Sequence, residues 1–268
     1  MKAWTVITGA SGSMGSEAVT ALASEGRPVI MACRNIEKAA SVRESVLAKV
    51  QGADIEIRKL DLASLQSVRE FASGFCPGSI SALFNNAGII ARRYSVGENG
   101  FEQTFAVNYF GPWLLTNLLV PCFTDGASVV NMISLTCRFV RIDERSLMPS
   151  ESDFSQLGTY ARAKRALLSF SMELARRYPG LKVNMADPGI VASNMIDLGH
   201  WYDPLADLIF KPLCKKPETG VKPALSALTS VEGDLYFVGN KSRRIPRRYD
   251  DPELDAGIWK ETERLTSF

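Results

Sequence analysis

Apolar and polar residues along the chain form two kinds of segment that alternate. Short runs rich in β-branched and other apolar residues have the length of buried strands, and they occupy residues 4–8, 28–33, 55–59, 80–84, 128–133, 183–186 and 235–238. Longer segments with apolar residues at helical spacing lie between them, at residues 16–25, 37–50, 64–73, 101–122, 160–178 and 219–230. This pattern predicts an α/β fold, in which helices alternate with the strands of a sheet.

Residues 196–217 follow neither pattern. Aromatic and aliphatic residues occur there without regular spacing, namely Trp201, Tyr202, Leu205, Ile209 and Phe210. We interpret the segment as a lid that closes over the substrate site and excludes water. Such a lid favours a bulky apolar substrate. The alternative is that the segment simply packs against the edge of the sheet.

Length and composition fit one large domain. The chain has 268 residues, of which 46% are hydrophobic and 22% are charged, which is enough for a well-buried core. No linker divides it, so we expect a single domain over residues 1–268. The net charge of +2 does not indicate a nucleic-acid-binding protein. The basic cluster at residues 243–248 is typical of a solvated loop, with substrate or phosphate contact as the alternative.

Cysteine and histidine usage limits the possible chemistry. The five cysteines are an odd number without Cys-x-x-Cys spacing, which argues against a disulfide framework or a zinc site and fits a reducing cytoplasm. The single histidine, His200, excludes a histidine-rich metal centre. The chain begins with a strand-like run and has no apolar span of about 18 residues. We therefore expect a soluble cytoplasmic protein without a signal peptide or a transmembrane segment.

A glycine-rich turn joins the first predicted strand to the first predicted helix. Glycines there allow a tight turn and a close approach of the backbone to a pyrophosphate, which the free N–H groups of the helix N-terminus bind. The turn indicates a dinucleotide cofactor, with a simple connecting loop as the alternative. The candidate cofactor-binding residues in it are Gly9, Ser11, Gly12, Ser13, Met14 and Gly15.

The end of the second predicted strand indicates which cofactor binds. An acidic residue at this point bonds the 2′-hydroxyl of the adenosine ribose, whereas an arginine accommodates a 2′-phosphate. Arg34 follows the strand directly, and Lys38 lies one helical turn further on. We therefore predict NADP(H), with an ordinary surface charge as the alternative interpretation of Arg34.

Further candidate residues follow the other predicted strands. Asp61 and Leu62 end the third strand, where an adenine edge would lie. Residues 85–88, with the sequence Asn-Asn-Ala-Gly, close the fourth strand and leave room for a cofactor to lie over the sheet, although an ordinary turn is the alternative. Ser134 ends the fifth strand, at the carboxyl edge where open α/β sheets bind ligands.

A tyrosine and a lysine lie four residues apart at the start of a predicted helix and therefore share one face of it. An ammonium group near a phenol lowers the pKa of the phenol, which suits Tyr160, with Lys164 beside it, for proton exchange with an alcohol or a carbonyl. This pair alone is a weak signal, because chance pairs on a solvated helix are common. Asn108 lies inside an apolar helical run, where its amide needs a partner.

Taken in order, these residues resemble the short-chain dehydrogenase/reductase family over nearly the whole chain. The motifs that carry the resemblance are Thr8-Gly9 through Gly15, Asn85-Asn86-Ala87-Gly88, Asn108, Ser134, Tyr160 with Lys164, and Pro188-Gly189. Their ordered placement at strand ends is highly specific. Within the family, Ala32-Cys33-Arg34, Val107-Asn108-Tyr109 and residues 173–177 are similar to the retinol-dehydrogenase-like and protochlorophyllide-reductase-like enzymes.

The resemblance implies a single Rossmann-like, doubly wound domain with a seven-stranded parallel sheet and a catalytic tetrad. Tyr160 would be the general acid or base, and Ser134 would bond the substrate oxygen. Lys164 would lower the tyrosine pKa and bind the nicotinamide ribose, while Asn108 would hold a water. The same matching implies further cofactor contacts by Asp61 and Leu62 at the adenine, by Asn85, Ala87 and Gly88 at the ribose, and by Pro188, Gly189, Ile190 and Ser193 near the nicotinamide.

Three functions compete at this point. The first is an NADP(H)-dependent oxidoreductase that acts on the carbonyl or alcohol group of an apolar small molecule. The spacing of Gly9, Gly12 and Gly15, with Ser13 in place of the family's usual glycine, is also similar to nucleotide-sugar-modifying enzymes. Those enzymes generally need a larger substrate domain than the chain after Pro188 provides. The third is a non-catalytic NADP(H)-binding sensor, against which the complete tetrad argues.

Apolar helix faces predict an assembly of several chains. The helical runs around residues 113–119 and 167–174 carry more apolar surface than covering one face of a sheet requires. Burial of such surface drives association, and members of the resembling family commonly pair these helices. We therefore expect a homodimer or a homotetramer.

Overall fold

One β-sheet of eight strands lies at the centre of the part of the protein that the computed structural model describes, which comprises residues 2–189, 191, 215–239, 241–246 and 249–268. The strands are β1 (Trp4–Thr8), β2 (Val29–Cys33), β3 (Ile55–Lys59), β4 (Ile80–Asn85), β5 (Phe123–Met132), β6 (Lys182–Asp187), β7 (Leu235–Val238) and β8 (Lys241–Arg244). Their order across the sheet is β3-β2-β1-β4-β5-β6-β7-β8.

The seven strands from β1 to β7 pair in parallel, whereas β8 pairs with β7 in the antiparallel direction. Because the strand order reverses between β1 and β4, a crevice forms at their carboxyl ends, where open α/β sheets bind ligands. The prediction of a Rossmann-like α/β domain is confirmed. The predicted number of strands is corrected from seven to eight, because β8 consists of exposed Lys241, Ser242, Arg243 and Arg244 and has no apolar pattern to indicate a strand.

Helices cover both faces of the sheet. They are α1 (Ser13–Ser24), α2 (Ile36–Lys49), α3 (Leu65–Ala72), α4 (Gln103–Phe105), α5 (Gly111–Leu119), α6 (Gln156–Arg177), α7 (Pro217–Gly220), α8 (Lys222–Leu228) and α9 (Pro252–Thr266). Helices α1, α2 and α8 bury their apolar residues with one face of the sheet, and α3, α5, α6 and α9 bury theirs with the other. The central strands are apolar on both sides because both faces are covered, and every residue of β2 is buried.

The C-terminal helix α9 was not predicted, because its few apolar residues are dispersed among charged ones. It packs against α6. The indole of Trp259 stacks on Phe170 with ring centroids 5.6 Å apart and meets Trp113 edge to face at 5.3 Å. Arg176 of α6 donates to the buried carboxylate of Asp255 at 3.0 Å. Helix α9 is therefore part of the hydrophobic core and is fixed to α6 by both rings and charges.

This packing removes the premise of the predicted assembly. The apolar side chains of α5 and of the middle of α6, including Trp113, Leu167 and Phe170, are buried within one chain. Helix α9 supplies the cover that the sequence argument assigned to a second copy. These apolar faces therefore belong to the core of one chain, and the homodimer or homotetramer stays a prediction that rests on the family resemblance.

Membrane insertion through a helix finds no support in the described ranges. None of their helices combines the length and the apolar composition that a bilayer span requires.

The α9 packing gives a prediction about stability. Replacing Trp259 with Ala removes a buried indole from a cluster of aromatic rings, so the free energy of unfolding should fall by about 3–5 kcal/mol. Urea denaturation followed by circular dichroism measures the change. Lys260→Ala, on the exposed neighbour in the same helix, is the matched control and should change stability by less than about 0.5 kcal/mol. Equal stabilities of the two variants would show that packing of the Trp259 indole against α5 and α6 does not stabilise the fold.

Candidate active site

A groove of about 790 Å³ lies along the carboxyl ends of β1 to β4. Its size is in the range of small-molecule and cofactor sites. Most of the predicted cofactor-binding residues in the first third of the chain line it. They are Gly9, Ser11, Gly12, Ser13, Met14, Gly15, Arg34, Lys38, Asp61, Leu62, Ala87 and Gly88. The structure therefore brings together residues that the sequence spreads over 80 positions.

The glycine turn has no room for side chains. Gly9 has a φ of +62°, and a Cβ built there would lie 2.9 Å from the Cα of Ala87. A Cβ on Gly15 would collide with the carbonyl oxygen of Gly9. The turn thus requires glycine at both positions, and it holds the start of α1 directly beside the end of β4.

The N-terminus of α1 fits a pyrophosphate. Gly12 is the N-cap residue and provides no side-chain cap, and the first turn contains no acidic residue. The backbone N–H groups at a helix start point outward and carry partial positive charge, so they bind anions when no side chain satisfies them. Because Ser13 and Met14 at this helix start line the groove, the site fits the phosphates of a dinucleotide.

Two cations line the end of the groove beside β2, where the adenosine half of a dinucleotide is predicted to bind. Arg34 follows β2 and Lys38 lies in the first turn of α2, whose N-cap Asn35 accepts a hydrogen bond from the Lys38 N–H at 2.8 Å. The Lys59 ammonium donates a hydrogen bond to the Arg34 carbonyl at 2.6 Å and adds a third positive charge nearby. Among the groove residues that the structure describes, Asp61 carries the one carboxyl group, and its Oδ1 accepts from the N–H of Ala63 at 3.0 Å.

Sequence reasoning missed several groove residues. They are Thr8, Ala32, Asn35, Leu60, Asn86, Ile89, Ile90, Arg92 and Val107. A signal existed for two of them, since Thr8 is a polar residue at the end of a buried strand and Asn86 belongs to the run at residues 85–88. The Thr8 hydroxyl accepts from the N–H groups of Asn86 at 3.1 Å and Ala87 at 3.0 Å. It therefore links the ends of β1 and β4.

The side chain of Asn85 does not line the groove, and its predicted contact with the ribose stays a prediction. Its side chain is buried, and its amide nitrogen donates to Thr116 at 3.0 Å and to Asn131 at 2.8 Å. The physical reason is the alternation of side chains along a strand. As the last residue of β4, Asn85 points into the core beneath α5, and the neighbouring Asn86 points towards the groove.

Ser134 and Tyr160 meet at the carboxyl edge of the sheet. Ser134 follows β5 as the N-cap of a short 3₁₀ turn, and its hydroxyl accepts from the Thr136 hydroxyl at 2.9 Å. Tyr160 lies in the second turn of α6 and is largely buried. The Ser134 hydroxyl lies close to the Tyr160 phenol and lowers the pKa of that phenol. A substrate oxygen placed between these two hydroxyls would contact both.

Lys164 and Asn108 lie on the other side of the tyrosine. The Lys164 ammonium is buried, lies 5.8 Å from the centroid of the Tyr160 ring and donates to the Met132 carbonyl at 2.8 Å. A Cβ on Gly88 would lie 2.7 Å from Asn108 Oδ1 and 3.5 Å from Lys164 Nζ. The structure therefore brings Asn108, Lys164 and Gly88 together.

Asn108 owes its position to an irregular helix. The run predicted as one helix over residues 101–122 consists of α4, the π-helical turn Ala106–Phe110 and α5. The Asn108 amide donates to the carbonyls of Ile89 and Thr104, both at 2.8 Å, and accepts from the Ile89 N–H at 3.1 Å. These bonds satisfy the buried amide and fix the loop that follows Gly88.

Burial, rather than Lys164, dominates the acidity of Tyr160. Desolvation raises the pKa of Tyr160 well above its usual value, and nearby Cys137 and Asp187 raise it further. The Ser134 hydroxyl acts in the opposite direction and lowers this pKa. Burial also lowers the pKa of Lys164 to about 8. The sequence argument expected Lys164 to lower the tyrosine pKa. The difference arises because the ammonium donates to a backbone carbonyl and lies over the ring instead of contacting the phenol oxygen.

Pro188 and Gly189 follow β6 next to Tyr160. Asp187, which precedes them, is buried and accepts from the Tyr236 hydroxyl and from the Gly189 N–H, both at 2.8 Å. Sequence reasoning did not single out Asp187. The predicted contacts Ile190 and Ser193, and residues 196–214 of the predicted lid, lie outside the described residues.

Comparison with known proteins agrees with this arrangement. The family described as short chain dehydrogenase matches residues 3–200. Retinol dehydrogenase 13 of Homo sapiens is 31% identical over 279 residues, which cover 98% of this chain and 84% of that protein. Retinol dehydrogenase 11 of Homo sapiens is 35% identical over 247 residues, which cover 88% of this chain and 75% of that protein. These relatives agree with the predicted resemblance to retinol-dehydrogenase-like enzymes.

A solved structure has the same fold. The crystal structure of a protein from Mycobacterium Paratuberculosis superposes with a TM-score of 0.80 at 30% identity, over 99% of this chain and 94% of that one. The family match includes the glycine turn, Asn108, Ser134, Tyr160 and Lys164. Both the sequence relatives and the geometry of the site therefore lead to one conclusion: this protein belongs to the short-chain dehydrogenase family.

Proposed function

We propose that this protein is an NADP(H)-dependent oxidoreductase that interconverts the carbonyl and alcohol groups of an apolar small molecule. The observation that carries the proposal is the convergence of Ser134 and Tyr160, with buried Lys164 beside the Tyr160 ring, at the edge of the sheet that also carries the groove. Two hydroxyls that converge beside a dinucleotide groove can hold and protonate a carbonyl oxygen.

Each residue of the tetrad has a role that follows from its contacts. Ser134 would donate a hydrogen bond to the substrate oxygen, and Tyr160 would exchange a proton with it. The nicotinamide would supply or accept the hydride. Lys164 lies beside Gly88, where its ammonium could bond the nicotinamide ribose. Asn108 would act by holding the loop at Ile89 and by keeping the space around Lys164 open.

The protonation of Tyr160 supports the direction of carbonyl reduction. Because burial raises the pKa of its phenol, Tyr160 keeps its proton at neutral pH. A protonated phenol is the form that can donate to a carbonyl oxygen as the alcohol forms. Oxidation of an alcohol needs the phenolate and should therefore be favoured at higher pH.

The charge of the groove supports NADP(H) over NAD(H). Arg34 and Lys38 line the groove near the end of β2, where the adenosine ribose would lie, and the residue directly after that strand is Arg34 rather than an acidic residue. A guanidinium can form paired, charge-assisted hydrogen bonds with a phosphate. The 2′-phosphate is the group that distinguishes the two cofactors.

Apolar surface beside the tetrad supports an apolar substrate. Phe139, five residues after Ser134, is 78% exposed, and Leu157, three residues before Tyr160, is 52% exposed. Large exposed apolar side chains near a reactive group offer a binding surface for a hydrocarbon. The relatives named as retinol dehydrogenases act on an alcohol of this kind.

A reducing compartment such as the cytoplasm is part of the proposal. Four cysteines in the described part of the chain, Cys33, Cys76, Cys122 and Cys137, are free thiols. Free thiols persist where the environment is reducing. No observation favours nucleotide-sugar modification or a non-catalytic sensor over the oxidoreductase.

The first test concerns cofactor choice. Arg34→Ala should weaken the binding of NADPH about ten- to a hundred-fold and leave the binding of NADH nearly unchanged, because a charged hydrogen bond to the 2′-phosphate is lost. Titration of nicotinamide fluorescence measures both affinities. Arg43→Ala, on the exposed side of α2, is the control and should bind both cofactors as the wild type does. A wild type that prefers NADH would contradict the assignment.

The second test concerns the proton donor. Tyr160→Phe keeps the ring and removes the hydroxyl, so carbonyl reduction should fall by about 10²–10⁴-fold while NADPH still binds. The assay is NADPH oxidation with apolar aldehydes and ketones. Tyr178→Phe, the same change at the C-terminal end of α6, should leave turnover unchanged. Full activity of Tyr160→Phe would exclude this tyrosine as the general acid.

The third test uses the buried ammonium of Lys164. Its pKa is lowered to about 8, whereas a lysine in an unfolded chain titrates near 10.5. Between these values the unfolded chain binds more protons, so stability should rise with pH. Between pH 8 and 10 the free energy of unfolding of the cofactor-free protein should increase by about 2 kcal/mol relative to Lys164→Met. Parallel urea denaturation curves decide it, and identical pH dependence of the two proteins would contradict the burial of a titrating ammonium.

A further inference from the structure

Asp187 is a buried carboxylate beside the tetrad that the proposed chemistry does not use. It is the last residue of β6 and is 1% exposed. Its Oδ1 accepts from the Gly189 N–H and its Oδ2 accepts from the Tyr236 hydroxyl, both at 2.8 Å. Both oxygens accept from neutral donors, which is the arrangement of an ionised carboxyl group. Burying a charge is costly unless hydrogen bonds compensate for the lost water, and here each oxygen accepts one.

Tyr236 fixes the position of the carboxylate. It lies on β7 directly opposite Met185 of β6 and is almost fully buried. The guanidinium of Arg138 lies near its hydroxyl, and that of Arg243 on β8 lies 5.1 Å from the centroid of its ring. The bond from the Tyr236 hydroxyl to Asp187 ties the end of β6 to β7.

The turn at Pro188 and Gly189 depends on this carboxylate. Gly189 has a φ of +74°, a conformation that glycine adopts without the steric cost that a Cβ would impose. The bond from its N–H to Asp187 closes the turn from inside, and the Lys215 ammonium donates to the Pro188 carbonyl at 3.4 Å from outside. Pro188 and Gly189 follow β6 at the carboxyl edge of the sheet, the same edge at which Ser134 follows the neighbouring parallel strand β5.

The charge of Asp187 also acts on the tetrad. It raises the pKa of Tyr160 and that of Cys137, in addition to the larger effect of burial. The charged and titratable groups near Asp187 are Arg138 and Cys137 from the turn after β5, Tyr236 from β7, and Tyr160 from α6. A negative charge near the phenol favours its protonated form.

We propose that Asp187, held by Tyr236, is a positioning residue that fixes the Pro188–Gly189 turn at the nicotinamide end of the site and places a negative charge behind Tyr160. The inference rests on the proposed function, because it assigns Asp187 a part in NADP(H) binding and in carbonyl reduction. A purely structural Asp187 would only hold β6 to β7. The two cases differ in which ligand a variant fails to bind and in the pH dependence of its turnover.

Binding tests the turn without any catalysis. Asp187→Ala should bind NADPH about ten-fold more weakly than the wild type, because the nicotinamide end loses its fixed turn. It should bind 2′-phosphoadenosine 5′-diphosphoribose, which lacks the nicotinamide, with unchanged affinity. Asp187→Asn keeps an acceptor for the Gly189 N–H and should restore the binding of NADPH. Calorimetry measures all affinities. Equal affinities of Asp187→Ala and the wild type for NADPH, or an equal loss for both ligands, overturns the role of the turn.

A second variant keeps the binding test decisive if Asp187→Ala does not fold. Tyr236→Phe retains the carboxylate and its bond to Gly189 but removes the hydroxyl that holds it. We expect a smaller loss of NADPH affinity, about three-fold, again with no loss for the fragment. Unchanged affinity for NADPH in Tyr236→Phe overturns the part of the proposal that concerns Tyr236.

The pH dependence of reduction tests the charge. Reduction requires the protonated phenol, so its rate falls at high pH as Tyr160 ionises. Asp187→Asn removes a negative charge that favours the proton, so the alkaline limb of kcat/KM should move to lower pH by about half a unit to one unit. Asp255→Asn is the matched control, because it neutralises another buried carboxylate, between α6 and α9, and should leave the limb in place. A limb that moves in neither variant, or equally in both, overturns the role of the charge.

The outcomes separate this inference from the proposed function. If the wild type reduces no carbonyl but binds NADPH, the proposed reaction fails, and the binding measurements still decide the role of the turn. If the wild type reduces carbonyls and Asp187→Ala behaves as the wild type in both assays, the proposed function stands and the inference fails.

Discussion

The end of β1 is held to the end of β4 by the hydroxyl of Thr8, and the rest of the site depends on this joint. Thr8 accepts from two successive N–H groups of the loop after β4, and the Asn86 amide donates back to the Thr8 carbonyl at 2.8 Å. These strands are neighbours at the point where the strand order reverses. If they separated, the glycine turn would lose its contact with Ala87, and the groove would lose two of its walls.

The proposed catalytic residues are positioned from the opposite side of the sheet. Tyr160 and Lys164 lie at the start of α6, and the end of the same helix is held by α9 through Arg176 and Trp259. Arg177 of α6 also stacks over the Trp259 ring at 4.4 Å. A helix that is packed along its whole length cannot shift its first turns independently. The geometry of the tetrad therefore depends on α9, whose residues lie more than a hundred positions after Asn108 in the sequence.

The sequence allowed the fold and most of the groove to be predicted, because both follow from local patterns. Apolar runs mark buried strands, and the residue just after a parallel strand lies at the ligand-binding edge, so Arg34 and Ser134 could be placed without a structure. Asn85 and Asn86 could not be told apart, because a shift of one residue exchanges the two faces of a strand. The end of β4 was predicted one residue too early, and this decides which amide reaches the groove.

Tertiary contacts account for what the sequence did not indicate. The acidity of Tyr160 depends on burial and on Asp187, and neither is visible in the spacing of Tyr160 and Lys164. Helix α9 is recognisable only once Trp113 and Phe170 are seen to need a cover. Strand β8 has a different consequence. Its exposed backbone edge is lined by Lys241, Arg243 and Arg244, so an approaching strand would bring its N–H and C=O groups among three positive charges. Among the described residues, these charges rather than a covering element oppose further growth of the sheet by strand addition on that side.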